Sequence, residues 1–564
     1  MKAIVKIALI ATTLLASCIK NDIPMPIVEL QIASVEGEGL RVKNIDLTAR
    51  KVFLEVEEKT DIQQAQITKV GYDAVIHSIH ADKEALLQEM TVSKELVGTF
   101  DLRTPIYVTL SLYQDYEWSI VGEQTIERIV NFVGQIGEAE YDLKNRIVRV
   151  KINHTVDLSH LIIKDFQLEP EGITTYSPTV EELSGSDFST IRFVDVTCHG
   201  RTERWTIEAT HTEKSVTLTA ANAWTRVLWL EGDGISGEVM GFRYRKQGEE
   251  GWKSLSTADA DSPITATGGR FKARVVVEPL TTYEVKAFCG DKESESVVVT
   301  TEEERQLPNG NMEHWGKIGK AWYPFAVTAD ESPIDPFWGS GNKASTTMGE
   351  NYNLTTAVTD TPAGVTGQYA AQLESRYVVL KLAAGNLFTG EFAAIRNTTH
   401  GIVNFGRPFT LRPTALRLWV RYTCGQITNA KDIGSMPIGE SIQIGDYDQG
   451  SVYIALGTWT KEKYGYGKGK EELFGTDECP ISIDTRDVST FFNPNGEDVI
   501  GYGGRIFTES VEEWTQLTIP IEYRDYATPP THIVVVCSAS RFGDYFTGSR
   551  DSRMWVDEIE LLYD

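Results

Sequence analysis

The sequence predicts an all-β protein in which several β-sandwiches follow one another. Apolar and polar residues alternate with a period of two in many short segments, which is the pattern of strands with one buried face. No long segment of the sequence has the 3.6-residue period of an amphipathic helix, and glycine-rich turns separate the strand-like runs. Since a domain usually holds roughly 100 to 200 residues, the 564 residues indicate three to five domains.

The N-terminus has the layout of a bacterial export signal. Two lysines precede an apolar run, Ile7 to Leu15, that is too short to cross a membrane. The residues Leu15-Ala16-Ser17-Cys18 resemble a lipobox, the site at which a lipid is attached to a cysteine before the signal is cleaved. The resemblance implies a signal peptide at residues 1–17 and a lipid anchor on Cys18. The alternative is an ordinary secretion signal with a chance cysteine.

Residues 18–26 are polar and contain two prolines, so we interpret them as a tether. Asp22 in this stretch resembles the acidic surface-export signals of Bacteroidota lipoproteins. We therefore expect a cell-envelope protein that is held in the outer membrane by the lipid on Cys18 and exposed at the cell surface. The net charge of −26 argues against nucleic acid as a partner, because nucleic-acid binding depends on clustered Lys and Arg.

The cysteines do not predict a disulfide framework. Beyond Cys18 there are five, an odd number, widely spaced and without a C-x-x-C motif. Most lie in apolar strand-like runs, as Cys537 does, and are interpreted as small buried residues. A bridge between Cys424 and Cys479 is the alternative.

Residues 45–70 and 141–166 are similar to each other at an offset of 96 residues, and their apolar alternation also agrees. This similarity predicts two copies of one small β-sandwich, at residues 27–133 and 134–212, with a chance match as the alternative. The identical pairs are Asp46 and Asp142, Leu47 and Leu143, Arg50 and Arg146, Val52 and Val148, Asp61 and Asp157, and Ile67 and Ile163.

The second copy contains the segment His199 to Trp205, a turn entering a strand that resembles Bacteroidota Ig-like modules. Residues 213–301 resemble a fibronectin type III sandwich through Trp224, the strand Phe242 to Arg245 and the segment Leu280 to Ala287. These modules are expected to act as spacers.

An acidic run, Glu302 to Glu304, marks the start of the last domain, residues 302–564, which carries seven of the 12 tryptophans. Its strands and glycine-rich turns predict a β-jelly roll. The predicted strands are Ala415 to Tyr422, Ser451 to Leu456, Gln516 to Tyr523, His532 to Ser538 and Met554 to Leu562.

Several separated motifs of the last domain occur in the order that one family shows. They are Leu307 to Trp315, Phe337 to Lys343, Ala370 to Ser375, Ala384 to Gly390, Asn404 to Phe409, Phe542 to Ser549 and Trp555 to Leu561. Together they resemble the putative carbohydrate metabolism domain of Bacteroidota lipoproteins. The resemblance implies a β-jelly roll preceded by Ig-like domains and a link to carbohydrate, and it is more specific for fold than for activity.

The two ends of this domain are also similar to the terminal strands of lectin-like carbohydrate-binding modules. In several of those, a carboxylate from each end holds a structural calcium ion, so the similarity implies Glu313 and Asp557 as ligands. Two carboxylates fall short of the about six to eight oxygens that calcium takes, and solvent-facing carboxylates are the alternative. A break in the apolar alternation predicts a bulge or a switch of face at Asp557 and Glu558. No cofactor is expected to be required.

One predicted strand places an aromatic residue between two cations. If the apolar residues from Leu416 to Tyr422 face the core, then Arg417, Trp419 and Arg421 lie on the outer face. An indole flanked by guanidiniums suits a sugar, whose C–H face stacks on the ring while the guanidiniums donate hydrogen bonds to its hydroxyls. Packing of Trp419 beneath a loop is the alternative.

Further binding candidates lie in loops where glycines leave ring faces accessible. Structural packing of each ring is the alternative. The predicted carbohydrate-binding residues are Trp419, Arg417, Arg421, Trp338, Asn342, Lys343, Trp322, Tyr464 and Tyr466.

Three functions are compatible with these residues. The first is a non-catalytic lipoprotein that binds a polysaccharide or oligosaccharide for glycan capture or utilisation, together with other envelope proteins of that process. The second is a glycoside hydrolase, which needs two carboxylates about 5 to 9.5 Å apart. The third is a surface adhesion or scaffold protein. No catalytic residue is identified by sequence spacing, and the carboxylates considered are Asp446, Asp448, Asp484 and Glu374.

Overall fold

The computed structural model of the protein describes residues 28–47, 49–76, 82–259, 261–379, 381–397, 400–430 and 442–564. The predicted signal peptide, the tether and Cys18 lie outside the described residues. The all-β prediction is confirmed, because strands dominate every part of the described chain. Within these residues no helix is both long enough and apolar enough to cross a membrane.

The helices of the described residues are short. Their α-helices α1 to α4 are Lys83–Glu89, Val180–Leu183, Asn342–Ser345 and Lys461–Tyr464. The 3₁₀ helices are Ile62–Gln64, Leu158–His160, Thr346–Met348, Glu350–Tyr352, Lys468–Lys470, Val488–Thr490 and Gly543–Tyr545.

Contacts divide the chain into two compact units. The first lies within Met1–Leu54 and Gln63–Gly122, and the second within Glu55–Ile62 and Glu123–Asp564.

The first sheet has eight strands. Strands β1 to β8 are Val28–Gly37, Leu40–Asp46, Lys51–Val56, Ala65–Ile76, Thr91–Val92, Gly98–Phe100, Ile106–Ser111 and Asp115–Gln124. Their order is β5-β7-β8-β3-β2-β1-β4-β6. The hairpin of β1 and β2 joins at Gly37 and Leu40, and β1 pairs antiparallel with β4 along its length. Alternate residues of these strands, such as Leu30, Ile32 and Leu54, are fully buried.

The next strands form a five-stranded and a two-stranded sheet. Strands β9 to β15 are Ile129–Phe132, Gln135–Asp142, Ile147–Asn153, Ile163–Gln167, Thr174–Ser177, Arg192–Cys198 and Arg201–Thr212. The larger sheet has the order β10-β11-β15-β14-β13, and β12 pairs with β9 in the smaller one. Phe132 of β9, Trp205 of β15 and Phe188 belong to one core.

The two similar segments have the same local backbone. The side chains of Asp46 and Asp142 each accept a hydrogen bond from the backbone N–H three residues later. Each turn ends on an arginine with positive φ, 51° at Arg50 and 55° at Arg146. In both segments a strand and then a 3₁₀ helix follow.

The third group of strands forms a four-stranded and a five-stranded sheet around one core that contains Leu230, Phe242 and Phe271. Strands β16 to β24 are Val216–Ala223, Val227–Gly234, Met240–Lys246, Lys253–Ser256, Ile264–Thr267, Arg270–Val276, Thr282–Cys289, Lys292–Glu293 and Val297–Thr300. The orders are β16-β17-β21-β20 and β19-β18-β22-β23, with β24 also paired to β22.

The last group holds the two largest facing sheets. Strands β25 to β46 are Gly316–Ile318, Ala321–Tyr323, Ala326–Val327, Pro333–Ile334, Trp338–Gly339, Thr355–Val358, Ala370–Glu374, Arg376–Val378, Lys381–Ala383, Asn386–Arg396, His400–Phe405, Arg407–Pro408, Ala415–Thr423, Asn429–Ala430, Gly450–Gly457, Ile481–Asp484, Val499–Phe507, Val511–Pro520, Glu522–Tyr523, His532–Ser538, Thr547–Gly548 and Arg553–Leu562. A nine-stranded sheet has the order β40-β35-β34-β44-β39-β41-β43, with β29 paired to β34 and β36 to β44. A five-stranded sheet has the order β30-β31-β46-β37-β42.

The nine-stranded sheet is apolar on both faces. Its inner face packs against the five-stranded sheet, with Ile454 and Val535 in the shared core. Val534 and Val536, on the opposite face of β44, belong to a second apolar cluster that includes Phe388. A strand covered on both faces is a continuous apolar run, which is the pattern of β44.

The five strands predicted in the last domain are present, and the segment Gln516 to Tyr523 is divided between β42 and β43. The predicted bulge is confirmed: the register of β46 on β37 shifts between Asp557 and Glu560, and Glu558 has a φ of 48°. The five described cysteines are all free, so the alternative bridge between Cys424 and Cys479 is wrong.

A polar and aromatic junction ties the third group of strands to the last one. Trp224 is fully buried, and its indole N–H donates to the carbonyl of Tyr526 at 3.0 Å. The buried guanidinium of Arg412 pairs with Glu302 at 2.7 Å and donates to the carbonyls of Tyr526 and Ala223. These contacts fix the two parts against each other.

Candidate functional site

A groove with a volume of about 640 Å³ lies on the outer face of the nine-stranded sheet. Its floor follows from the two-residue period of the strands, because every second side chain points away from the shared core. The floor residues are Asn386 and Phe388 of β34, Val403 and Phe405 of β35, Ser451 and Tyr453 of β39, Tyr502 and Gly504 of β41, and Val536 and Ser538 of β44.

The walls of the groove come from two loops. Phe491 and Phe492 belong to one loop, and residues 540–545 belong to the other. Phe492 stacks on Tyr453 with ring centroids 5.5 Å apart and an interplanar angle of 13°. Phe491 meets Tyr545 edge to face at 4.9 Å. The two walls and the floor therefore form one continuous aromatic lining.

Gly504 keeps the floor open between two tyrosines. A Cβ at this position would lie 2.7 Å from the hydroxyl oxygen of Tyr502 and 3.4 Å from the Cβ of Tyr453. Burial raises the pKa of both tyrosines, that of Tyr453 well above its ordinary value of 10.0. Their hydroxyls stay protonated near neutral pH and remain hydrogen-bond donors and acceptors.

Asp544 is the one carboxylate among the described residues that line the groove. It lies in the 3₁₀ helix Gly543–Tyr545 and is half-buried. Burial raises its pKa from 3.8 to about 6. Two cations, Arg505 and Arg541, also line the groove, and Arg541 donates to the amide oxygen of Gln449 at 2.9 Å.

Asp448 holds the loop that carries Asp544. It is fully buried, and its Oδ2 accepts hydrogen bonds from Ser540 at 2.6 Å, from the backbone of Ser549 at 2.8 Å and from Ser552 at 2.8 Å. Burial raises the pKa of Asp448, and these hydrogen bonds oppose the rise. A carboxylate with this network is a structural anchor for the wall of the groove.

The other carboxylates considered for hydrolysis also lie away from the groove lining. Asp484 is fully buried and pairs with Arg486 at 2.5 Å. Glu374 pairs with both Arg376 and Arg553. The exposed Asp446 accepts a hydrogen bond from the backbone of Gln443.

Trp419 lies where its strand pattern predicts, half-buried on the outer face of the five-stranded sheet. Both neighbouring guanidiniums are paired with carboxylates: Arg417 with Glu560 at 2.5 Å and Arg421 with Asp360 at 2.6 Å. The Arg421 guanidinium also lies over the rings of Trp555, at 4.2 Å from the centroid, and Trp514, at 5.6 Å. This surface is separate from the groove.

The expectation that Trp338 presents an accessible ring is wrong. Trp338 is 1% exposed and belongs to the core between the sheets, where its indole N–H donates to the carbonyl of Pro308 at 2.7 Å. Asn342 is also fully buried. Its amide donates to two backbone carbonyls and accepts from the backbone N–H groups of Leu354 and Thr355, so it has no group left for a ligand.

The remaining predicted residues do not converge on one place. Trp322 is 38% exposed and Lys343 is exposed, with its ammonium 3.4 Å from the carbonyl of Phe392. Tyr464 packs against the outer apolar cluster of the nine-stranded sheet and donates to Asp498 at 2.6 Å. Tyr466 is half-buried in the same loop.

The predicted calcium ligands are near each other, and one of them has an unsatisfied oxygen. Oδ2 of Asp557 is buried without a hydrogen-bond partner, while Glu313 accepts from the backbone N–H groups of Gln368 and Tyr369. Burial raises the pKa of Asp557 to about 7, with the charges of Glu558 and Glu313 adding to the rise. Among the described residues there is no group of three or more His, Cys, Asp and Glu placed to hold a metal ion. Backbone carbonyls would have to complete a calcium site here.

The groove residues were not predicted from the sequence, because the aromatic candidates were taken from glycine-rich loops and from the strand of Trp419. The signal that could have found them is the apolar run in β44, since a strand covered on both faces has a second packed surface. The segment Phe542 to Phe546 belongs to a family motif that does not by itself predict a binding role. The adjacent pair Phe491 and Phe492 has no period that would mark it as exposed.

Residues 311–562 match the model of a family described as "Putative carbohydrate metabolism domain". This part of the chain is therefore similar to that family. The resemblance inferred from the motifs is therefore confirmed for this domain, which contains the whole groove.

Among solved structures, a putative glycoside hydrolase from Bacteroides thetaiotaomicron is 16% identical, with 78% of this chain and 96% of that chain covered and a TM-score of 0.30. One from Bacteroides vulgatus is 22% identical, with coverages of 45% and 97% and a TM-score of 0.31. SGBP-B from a xyloglucan utilization locus in Bacteroides uniformis is 10% identical, with coverages of 84% and 98% and a TM-score of 0.17. No curated protein matches the sequence.

Proposed function

We propose that the putative carbohydrate metabolism domain binds a polysaccharide or oligosaccharide in the groove on its nine-stranded sheet. The observation that carries the proposal is the aromatic lining, above all the stacked pair of Tyr453 and Phe492. Sugar rings present apolar C–H faces that stack on aromatic rings, and hydroxyls that need polar partners. The volume of about 640 Å³ lies in the ordinary range of ligand sites.

Binding is favoured over hydrolysis by the charges in the groove. A glycoside hydrolase needs two carboxylates about 5 to 9.5 Å apart, and Asp544 is the one carboxylate among the described lining residues. A surface adhesion protein remains the third function, in which the same groove would take a protein partner.

The setting of this domain is part of the proposal. A lipid on Cys18 would hold the protein in the outer membrane, exposed at the cell surface. The net charge of −26 suits a protein that meets neutral ligands rather than polyanions. Other envelope proteins of glycan utilisation would be its partners.

Calcium is a second, structural proposal. Asp557 and Glu313 would supply carboxylate oxygens to the ion, and the buried oxygen of Asp557 without a partner favours a cation there. When bound, calcium would neutralise like charges that otherwise repel one another at this end of the domain. The ion would stabilise the fold and would not take part in sugar binding.

Direct binding tests the proposed function. Purified protein is screened against neutral and acidic polysaccharides by affinity electrophoresis, and bound sugars are recovered and sized. Retardation by a polysaccharide that is recovered intact is the expected result. Shortened products would favour the hydrolase, and no retardation by any polysaccharide would favour adhesion.

A further inference from the structure

The wall of the groove carries a carboxylate without a partner among the residues that the structure describes. Among the described residues, Asp544 makes no hydrogen bond and no ion pair, although it is half-buried beside aromatic rings. Its backbone is held by the hydrogen bonds of Gly543 to Ser540 and of Tyr545 to Phe542, and Phe542 is itself buried. A half-buried carboxylate beside aromatic rings loses part of its hydration, and a ligand that donates hydrogen bonds to it replaces the lost contacts.

The charged residues that line the groove restrict the charge that a ligand can carry. An ionised carboxylate only accepts hydrogen bonds, and its two oxygens match two donors on adjacent atoms. A sugar carboxylate would bring a second negative charge to Asp544, and elsewhere in the groove a sugar ammonium would meet the positive charges of Arg505 and Arg541. Adjacent hydroxyls of an uncharged sugar cause neither of these repulsions.

We propose that Asp544 is the specificity-determining residue of the groove and accepts hydrogen bonds from adjacent hydroxyls of a neutral sugar whose ring lies against Tyr453 and Phe492. This inference rests on the proposed carbohydrate-binding function and names the class of sugar.

The pH dependence of binding follows from the same group. Because burial raises the pKa of Asp544 to about 6, the carboxylate becomes protonated between pH 7 and pH 5 and no longer accepts hydrogen bonds at both oxygens. The other titratable or charged groups lining the groove are Tyr453, Tyr502, Tyr545, Arg505 and Arg541, and phenols and guanidiniums do not titrate in that range. His400 and Lys381 contact Phe546 on the far side of the same loop, so a variant at Asp544 is needed to assign the effect.

The test is isothermal titration calorimetry of the purified protein at pH 7 with hexasaccharides of three charges. The probes are the neutral cello-, xylo- and mannohexaose, the anionic hexagalacturonate, and a glucosamine hexamer. We expect one or more neutral probes to bind and the charged probes to bind at least tenfold more weakly. Asp544→Ala should weaken the neutral probe about 10- to 100-fold, as for hydrogen bonds to a charged group.

Two further variants make the result interpretable. Asp551→Ala removes an exposed carboxylate outside the groove and should leave the affinity unchanged. Asp544→Asn keeps the shape of the side chain, so it separates loss of charge from loss of folding. Wild-type affinity should fall about tenfold from pH 8 to pH 5, and the affinity of Asp544→Asn should not follow pH.

The outcomes separate the two claims. If no probe binds the wild type, the proposed function fails and the inference falls with it. A second outcome is that a neutral probe binds, that Phe492→Ala abolishes this binding and that Asp544→Ala does not weaken it. The groove is then the binding site, but the inference about Asp544 is overturned. Preference for the anionic or the amino probe also overturns it.

Discussion

Phe492 comes from a loop and stacks on Tyr453 of the nine-stranded sheet, with ring centroids 5.5 Å apart and planes 13° from parallel. A ring held between a strand and a loop has little freedom, so the groove is formed before any ligand arrives. A preformed aromatic surface loses less conformational entropy on binding than a flexible one does.

Asp544→Asn should stabilise the protein at neutral and alkaline pH. The folded-state pKa of about 6 lies above the ordinary value of 3.8, so folding favours the protonated form. That contribution is fully present below about pH 4 and is lost as the pH rises through 6. At pH 8 the variant should therefore be more stable than wild type by about 1 to 3 kcal/mol, and near pH 4 the two should be equal.

Urea unfolding at pH 4 and pH 8 measures this difference, with the exposed Asp551→Asn as the matched control that changes stability at neither pH. Equal stabilities of wild type and Asp544→Asn at pH 8 would show that the carboxylate is not destabilising in the folded protein.

Arg412→Ala should destabilise the junction between the third group of strands and the last domain. The variant leaves Glu302 as a buried charge without its partner and removes donors from three carbonyls, a change that costs about 3 to 5 kcal/mol. Arg417→Ala is the matched control, because its ion pair with Glu560 is much more exposed and contributes about 0 to 1 kcal/mol. Urea unfolding followed by tryptophan fluorescence compares the two variants. Equal losses of unfolding free energy would contradict the stabilising role of the junction.

Trp338→Ala and Trp419→Ala should have different effects. Trp338 fills the core, so its truncation should cost about 3 to 5 kcal/mol of folding free energy. Trp419 is half-buried away from the groove, so its truncation should cost less and leave sugar affinity within about twofold. Thermal unfolding and calorimetric titration of both variants check this. Loss of sugar binding in a folded Trp419→Ala protein would show that sugar binds at Trp419, Arg417 and Arg421 rather than in the groove.

Calcium should raise the thermal midpoint of the protein, and a chelator should lower it. At free calcium of about 100 times the Kd, binding adds about 2.7 kcal/mol, which corresponds to roughly 5 to 10 °C for a domain of this size. Asp557→Ala should lose the calcium-dependent part of the midpoint, and differential scanning calorimetry measures it. A midpoint that does not respond to calcium in wild type would remove Glu313 and Asp557 as ligands.

The sequence alone predicted the fold class and the strands of the last domain, because a two-residue period depends only on which face is buried. It also predicted the bulge at Asp557 and Glu558 from a break in that period. It could not predict that Trp338 and Asn342 are interior, since a loop aromatic in a glycine-rich turn has no period to reveal what covers it. The groove depends on residues from five strands and two loops, and only the sheet order brings these together.

The most direct test of the account is calorimetric titration of a neutral oligosaccharide that binds wild type into Phe492→Ala and Tyr447→Ala. Phe492 forms the wall of the groove, whereas Tyr447 is 62% exposed outside it and serves as the matched aromatic control. We predict that Phe492→Ala lowers the affinity about tenfold or more while Tyr447→Ala binds as wild type does. Unchanged affinity in a folded Phe492→Ala protein would contradict the groove as the carbohydrate site.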